Sequence, residues 1–145
     1  MTSQAQPQRA DGGIDRDVCR LIQQFVQRLD VHVRRVADQL GLTAAQVIAL
    51  RELSEPITAR ELAGRMSCEA SNATFVVDRL EGQGLVERHP HPTDRRAKRI
   101  VLTAGGQRTR STVLERLATD SQLSPLTDSQ QETLRDLLRT LVAQP

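Results

Sequence analysis

Between positions 85 and 110 the chain places seven basic side chains, six of them arginine, against only Glu87 and Asp94. That window carries +5, whereas the formal charge of all 145 residues is +2, so the remainder is net −3. Guanidinium groups are planar and permanently charged, and they grip phosphate or carboxylate oxygens in pairs. A basic run is ordinarily just a solvated face, so its setting decides what it means. Here Arg95, Arg96 and Lys98 sit in a stretch, His89 to Lys98, that holds two prolines. The stretch separates two short strand-like runs, Leu85–Arg88 and Arg99–Leu102, and the pattern predicts a β-hairpin with a long basic tip. Such a tip suits a polyanion.

A second set of residues with recognition chemistry lies just upstream, in a helix expected over residues 69–82. Ala73, Val76, Val77 and Leu80 recur at helical spacing. Ser71, Phe75 and Asp78 therefore fall on the opposite face, with Asn72, Thr74 and Arg79 beside them. Short polar side chains near a helix N-terminus suit base edges: asparagine pairs with adenine through two hydrogen bonds, and serine or threonine serves a base or a phosphate. A polar helix face is, by itself, ordinary surface. Phe75 changes the balance, because the chain has two phenylalanines and no Tyr or Trp, yet the period turns this ring outward. It either touches thymine methyls in a major groove or folds under the hairpin to finish the core. The scarcity of aromatics also argues against readers of single strands, which need stacking platforms.

These residues need elements to hold them. Residues 1–13 read as a disordered polar tail with no apolar stretch for a secretory signal. Ile14 to Leu40 reads as one helix, with apolar residues at Val18, Leu21, Ile22, Phe25, Leu29, Val33, Val36 and Leu40 and Gly41 as its stop. About 40 Å of helix is more than so short a chain covers unaided, so packing against another chain is expected. Thr43 with Gln46, Thr58 with Glu61 and Thr127 with Gln130 have capping-box spacing. They open helices at Ala44–Leu53, Ala59–Arg65 and from residue 127 onward. Thr103 caps a further helix over Ala104–Asp120. No window approaches the roughly 20 apolar residues of a membrane span, and a cytoplasmic protein is expected.

Short helix, tight turn, second helix and basic hairpin make up a winged helix–turn–helix. In that unit the second helix enters a DNA major groove and the hairpin reaches the flanking backbone or minor groove. The expected class is mainly α with a small β-hairpin wing. The DNA-binding domain is expected over residues 42–106, with helical regions over 14–41 and 107–145 on either side.

The sequence resembles the MarR family of bacterial transcriptional regulators. Leu42-Thr43-x-x-Gln46 is similar to the family's LTxxQ opening. Ser71-Asn72-Ala73-Thr74-x-Val76-Val77-Asp78-Arg79-Leu80-Glu81, then Gly84-Leu85-Val86-Glu87-Arg88, resembles its recognition helix and first wing strand. Asp94-Arg95-Arg96, followed by Val101-Leu102-Thr103 and Gly106, matches its wing signature, and the likeness runs from about residue 14 to 143. It implies a homodimer on a pseudo-palindromic double-stranded operator, joined by the first and last helices. It also implies that Arg96 enters a minor groove with Asp94 orienting it, while Arg95, Lys98, Arg99 and Arg108 contact phosphates, which position without specifying. One departure is Phe75, where the family often has Arg or Gly.

The resemblance further implies a small anionic or phenolic effector in a cleft beside the first helix, where His32, Arg34 and Arg35 are candidates. His32 shares an apolar face with Leu29, Val33 and Val36, a place where histidine is ordinarily a packing residue. Cys19 and Cys68 are 49 positions apart without CxxC spacing, so neither a disulfide framework nor a zinc knuckle is expected. Cys68, just before a helix N-terminus and near Arg65, and Cys19, on the first helix, raise the alternative of a thiol-based redox sensor. The tyrosines that accompany such a cysteine in related hydroperoxide sensors are absent. His89 and His91 lack an attendant carboxylate or thiolate at ligand spacing, so no metal or other cofactor is expected. No Gly-rich phosphate loop, G-x-S-x-G or H-E-x-x-H occurs, and an enzyme is not expected. The rival outside gene regulation is a winged-helix module that binds protein through Phe75.

Overall fold

The computed structural model describes residues 12–145; most of the expected N-terminal tail lies outside them. In chain order the elements are α1 (Gly13–Leu40), α2 (Ala44–Glu52), β1 (Ile57–Thr58), α3 (Ala59–Met66), α4 (Ala70–Gly82), β2 (Val86–Pro90), β3 (Lys98–Leu102), α5 (Ala104–Ala118) and α6 (Asp128–Val142). This is the mainly helical class with a small antiparallel sheet that the sequence predicts. No helix among the described residues is long and apolar enough to cross a membrane.

Local chemistry sets most boundaries. α1 ends where Gly41 takes a left-handed conformation, φ 67°, and its N–H closes onto Ala37 O. A side chain there would be strained. Complete capping boxes start α2 and α6, at Thr43 with Gln46 and Thr127 with Gln130. The third expected box is only half made. The Thr58 hydroxyl accepts from Glu61 N–H at 3.1 Å, while the Glu61 carboxylate accepts from that same hydroxyl and leaves the Thr58 backbone alone. Thr58 is also a strand residue, opposite Arg99, because Ile57-Thr58 adds a third strand to the hairpin in the order β1-β3-β2. The sequence predicts the hairpin alone. A two-residue strand has no period to read, and only its tertiary partner reveals it.

One core lies under this sheet and between the helices. Leu50, Leu53, Leu62, Val77, Leu80, Val86, Ile100 and Val113 are all buried there. α5 crosses the expected domain boundary at 106/107: its first turn locks to the base of the hairpin, and Val113 enters the common core. α6 differs from every other helix in burying none of its residues. Ile14, Leu21 and Ile22 on α1, and Leu137, Leu141 and Val142 on α6, are exposed.

Candidate nucleic-acid interface

α3 and α4 meet at a turn in which Ser67 adopts φ 53° and the Cys68 N–H closes onto Ala63 O at 3.0 Å. α4 then buries Ala73, Val76, Val77 and Leu80 against the core. Ser71, Asn72, Thr74, Phe75, Asp78 and Arg79 are consequently all exposed, as the period predicts. Phe75 does not fold under the hairpin: it stays outside the core, 61% exposed, with the Arg79 guanidinium 5.8 Å from its ring centroid.

Alternation along β2 points Arg88 to the same side as buried Val86, toward α4. There it donates to Asp78 at 2.6 Å and Glu81 at 2.8 Å. Partial burial opposes its charge, but the two carboxylate bonds outweigh that and raise its pKa. Arg88 thus ties the wing to α4 and offsets part of the charge of two carboxylates on the outward side of that helix. Arg110 is likewise committed, donating to Leu50 O and Arg51 O at the C-terminal end of α2, where a cation is favoured. The +5 block therefore divides: two of its seven cations are structural. Sequence position does not separate them, since the partners lie on other elements.

The wing tip is built on side-chain-to-backbone bonds. The His91 Nδ1 accepts the N–H groups of Thr93 and Asp94, and the His91 N–H donates to Ala97 O at 3.1 Å. Asp94 accepts the Arg96 backbone N–H at 2.9 Å. The carboxylate thus holds the Arg96 backbone, and the Arg96 guanidinium makes no ion pair with it. Among the described residues Arg95, Arg96 and Lys98 are exposed and take part in no ion pair. Arg99 is half-buried, and its Nε has no partner. Arg60, at the start of α3, joins Arg88, Arg96 and Lys98 around a cleft of about 370 Å³. Sequence reasoning missed Arg60, because only β1 brings that helix beside the wing.

A single junction sets α4 relative to the wing. The Thr103 hydroxyl donates to Gly84 O at 2.6 Å and accepts the Gly106 N–H at 3.0 Å, and the Thr103 N–H donates to Leu85 O. Buried Gln46 completes its capping box and donates to Gln83 at 2.9 Å. The spaced Gln46, Gly84, Thr103 and Gly106 of the sequence are one three-dimensional joint.

His32 and Arg35 line two adjoining cavities beside α1, of about 500 and 300 Å³. The His32 Nε2 donates to Leu117 O at 2.9 Å, which leaves a buried Nδ1 without a partner. Arg34 does not join them; it is exposed and reaches back to Asp30 O. The Arg65 guanidinium is held by Glu52 O, Ser54 and Glu55. Cys19 is exposed, and both thiols are free. His89 bonds Glu87 at 2.9 Å.

A tight α3–α4 pair, with the outward face of α4 tied to a cationic hairpin, defines a winged helix–turn–helix protein. The profile of the MarR family matches residues 42–98. The HTH-type transcriptional regulator YsmB of Bacillus subtilis is 38% identical over 77 residues, 52% of this chain and 53% of YsmB. The multiple antibiotic resistance protein MarR of Escherichia coli is 36% identical over 89 residues, 60% of this chain and 62% of that protein. The chain thus spans between half and two thirds of the length of these relatives. The crystal structure of a mutant MarR complexed with operator DNA matches with a TM-score of 0.69 and 30% identity, over 86% of this chain and 93% of that one. CouR of Rhodococcus jostii, bound to p-coumaroyl-CoA, matches with a TM-score of 0.79 and 26% identity, over 89% and 94%. The chain belongs to the MarR family of transcriptional regulators.

Proposed function

We propose that the protein is a cytoplasmic homodimeric repressor that grips a pseudo-palindromic operator and is released by a small anionic or phenolic effector. The observation that carries the DNA reading is the wing tip: Arg95, Arg96 and Lys98 are exposed and uncommitted, on a hairpin tied through Arg88 to the outward face of α4. Ser71, Asn72, Thr74, Phe75 and Arg79 face the major groove. Arg96 enters the minor groove, with Asp94 holding its backbone, and Arg95, Lys98, Arg99, Arg108 and Arg60 lie near phosphates. Exposed apolar faces on α1 and α6 support the dimer. In this reading the DNA-binding unit covers residues 42–106 and the flanking helices carry dimerisation, with α5 bridging the two through Val113 in the common core. For the effector, His32 and Arg35 line the cavities beside α1, and Arg35 offers charge to an anion. The MarR complex with operator DNA and the CouR complex with p-coumaroyl-CoA support the two binding roles by kinship.

Arg96→Ala tests this reading. A good specific contact is worth about 1–3 kcal/mol, and a dimer has two wings. Operator affinity at physiological salt is therefore expected to fall on the order of 100-fold, with the dimer intact. Unchanged affinity in a fluorescence titration would sink the assignment. Arg88→Gln should act differently, since it uncovers two carboxylates beside the DNA. Binding to any duplex is expected to weaken about tenfold, roughly 1.4 kcal/mol, while melting shifts little because the ion pairs are half-exposed. A loss confined to one operator sequence would contradict that role.

A further inference from the structure

Phe75 is anomalous in its surroundings. Among the described residues, every other exposed large apolar side chain lies on α1 or α6, whereas Phe75 stands alone on the outward face of α4. It therefore belongs to no apolar seam. The hydrogen-bonding groups beside it are partly taken: Asp78 is bonded to Arg88 at 2.6 Å, and the Thr74 hydroxyl donates to Ala70 O at 3.0 Å. The Arg79 guanidinium lies over the ring, 5.8 Å from its centroid, which restrains the side chain and adds positive charge for the phosphates on either side.

A phenyl ring neither donates nor accepts an ordinary hydrogen bond, so it cannot read the polar edge of a base. The one apolar feature of a major groove is the thymine 5-methyl group. Cytosine methylated at the same carbon presents the same group. We infer that Phe75 reads a pyrimidine 5-methyl group in each operator half-site, so that binding depends on that methyl and responds to cytosine 5-methylation. The inference rests on the DNA-binding reading above and adds the chemical class that α4 selects.

The test uses the full-length protein and a duplex selected from a random-sequence pool. Each thymine is replaced in turn by deoxyuridine, which removes the methyl and keeps pairing and charge. One position per half-site is expected to cost wild-type affinity about fourfold, the worth of one buried methyl-sized group. That cost should vanish in Phe75→Ala. At the same position 5-methylcytosine should bind about fourfold more tightly than cytosine, for the same methyl-sized reason. Phe75 is exposed, so the variant should melt with the wild type, and Phe75→Leu should keep part of the preference. Uniform tolerance of deoxyuridine, or an equal loss in Phe75→Ala, overturns the inference while leaving DNA binding standing. Failure to select any duplex overturns both.

Discussion

Gly106→Ala is expected to lower the melting temperature by about 10 °C or more, whereas Gly105→Ala should leave it unchanged or raise it slightly. A Cβ at 106 would stand 1.9 Å from the carbonyl oxygen of Leu85 and 2.9 Å from its carbon. Both are backbone atoms, so no rotamer change relieves the clash. Relief requires moving the first turn of α5 away from the loop that ends α4. That movement strains the bonds from Thr103 N to Leu85 O, from Thr103 Oγ1 to Gly84 O and from Gly106 N to Thr103 Oγ1. Overpacking costs about 1–3 kcal/mol and each lost hydrogen bond about 1, so about 3 kcal/mol is a conservative sum. At this chain length each kcal/mol moves the midpoint by roughly 3–5 °C. At 105 the added Cβ would meet nothing closer than 3.7 Å, and alanine is the better helix former. Equal melting curves for the two variants would show that α5 is not locked to this loop.

Leu138→Glu is expected to convert the dimer to monomers at micromolar concentration and to weaken operator binding at least about 100-fold. Phe25 and Leu29 of α1, with Leu134, Leu138 and Val142 of α6, line an apolar groove of about 680 Å³. α6 has 15 residues and buries none of them. A helix of that length is marginal in water by itself, and the proposed homodimer supplies a partner to cover the groove. In the proposed homodimer the substitution would drive one carboxylate from each copy into the covered seam, and an unpaired buried carboxylate costs several kcal/mol. Loss of two-site attachment then removes about 10² or more in avidity. Sedimentation velocity reads the first effect and a DNA titration the second. A dimer that persists in this variant would place the seam elsewhere.

How much is readable in advance depends on the range of the interaction. Thr43, Thr127 and Gly41 announce helix ends because a cap involves residues three or four apart. The buried set of α4 follows from its period, and that period places Phe75 outside. The partners of Arg88 and Arg110 are not legible, since Asp78, Glu81 and the carbonyls of Leu50 and Arg51 are joined to them only by folding. Spacing links Asp94 with Arg96, but two-residue spacing permits both an ion pair and a backbone bond, and the structure shows the backbone bond. Of the three residues expected in a cleft on α1, His32 and Arg35 face cavities and Arg34 does not.

By itself, then, the chain order determined the class: helical and strand periods, capping residues and one local concentration of cations are all short-range properties. Tertiary structure decided which of those cations are available. It turned Arg88 and Arg110 inward to carboxylates and carbonyls, and it brought Arg60 beside the wing through a strand of two residues. Charge is a property of composition, but its availability to a partner depends on which oxygens the fold has already placed within hydrogen-bonding reach.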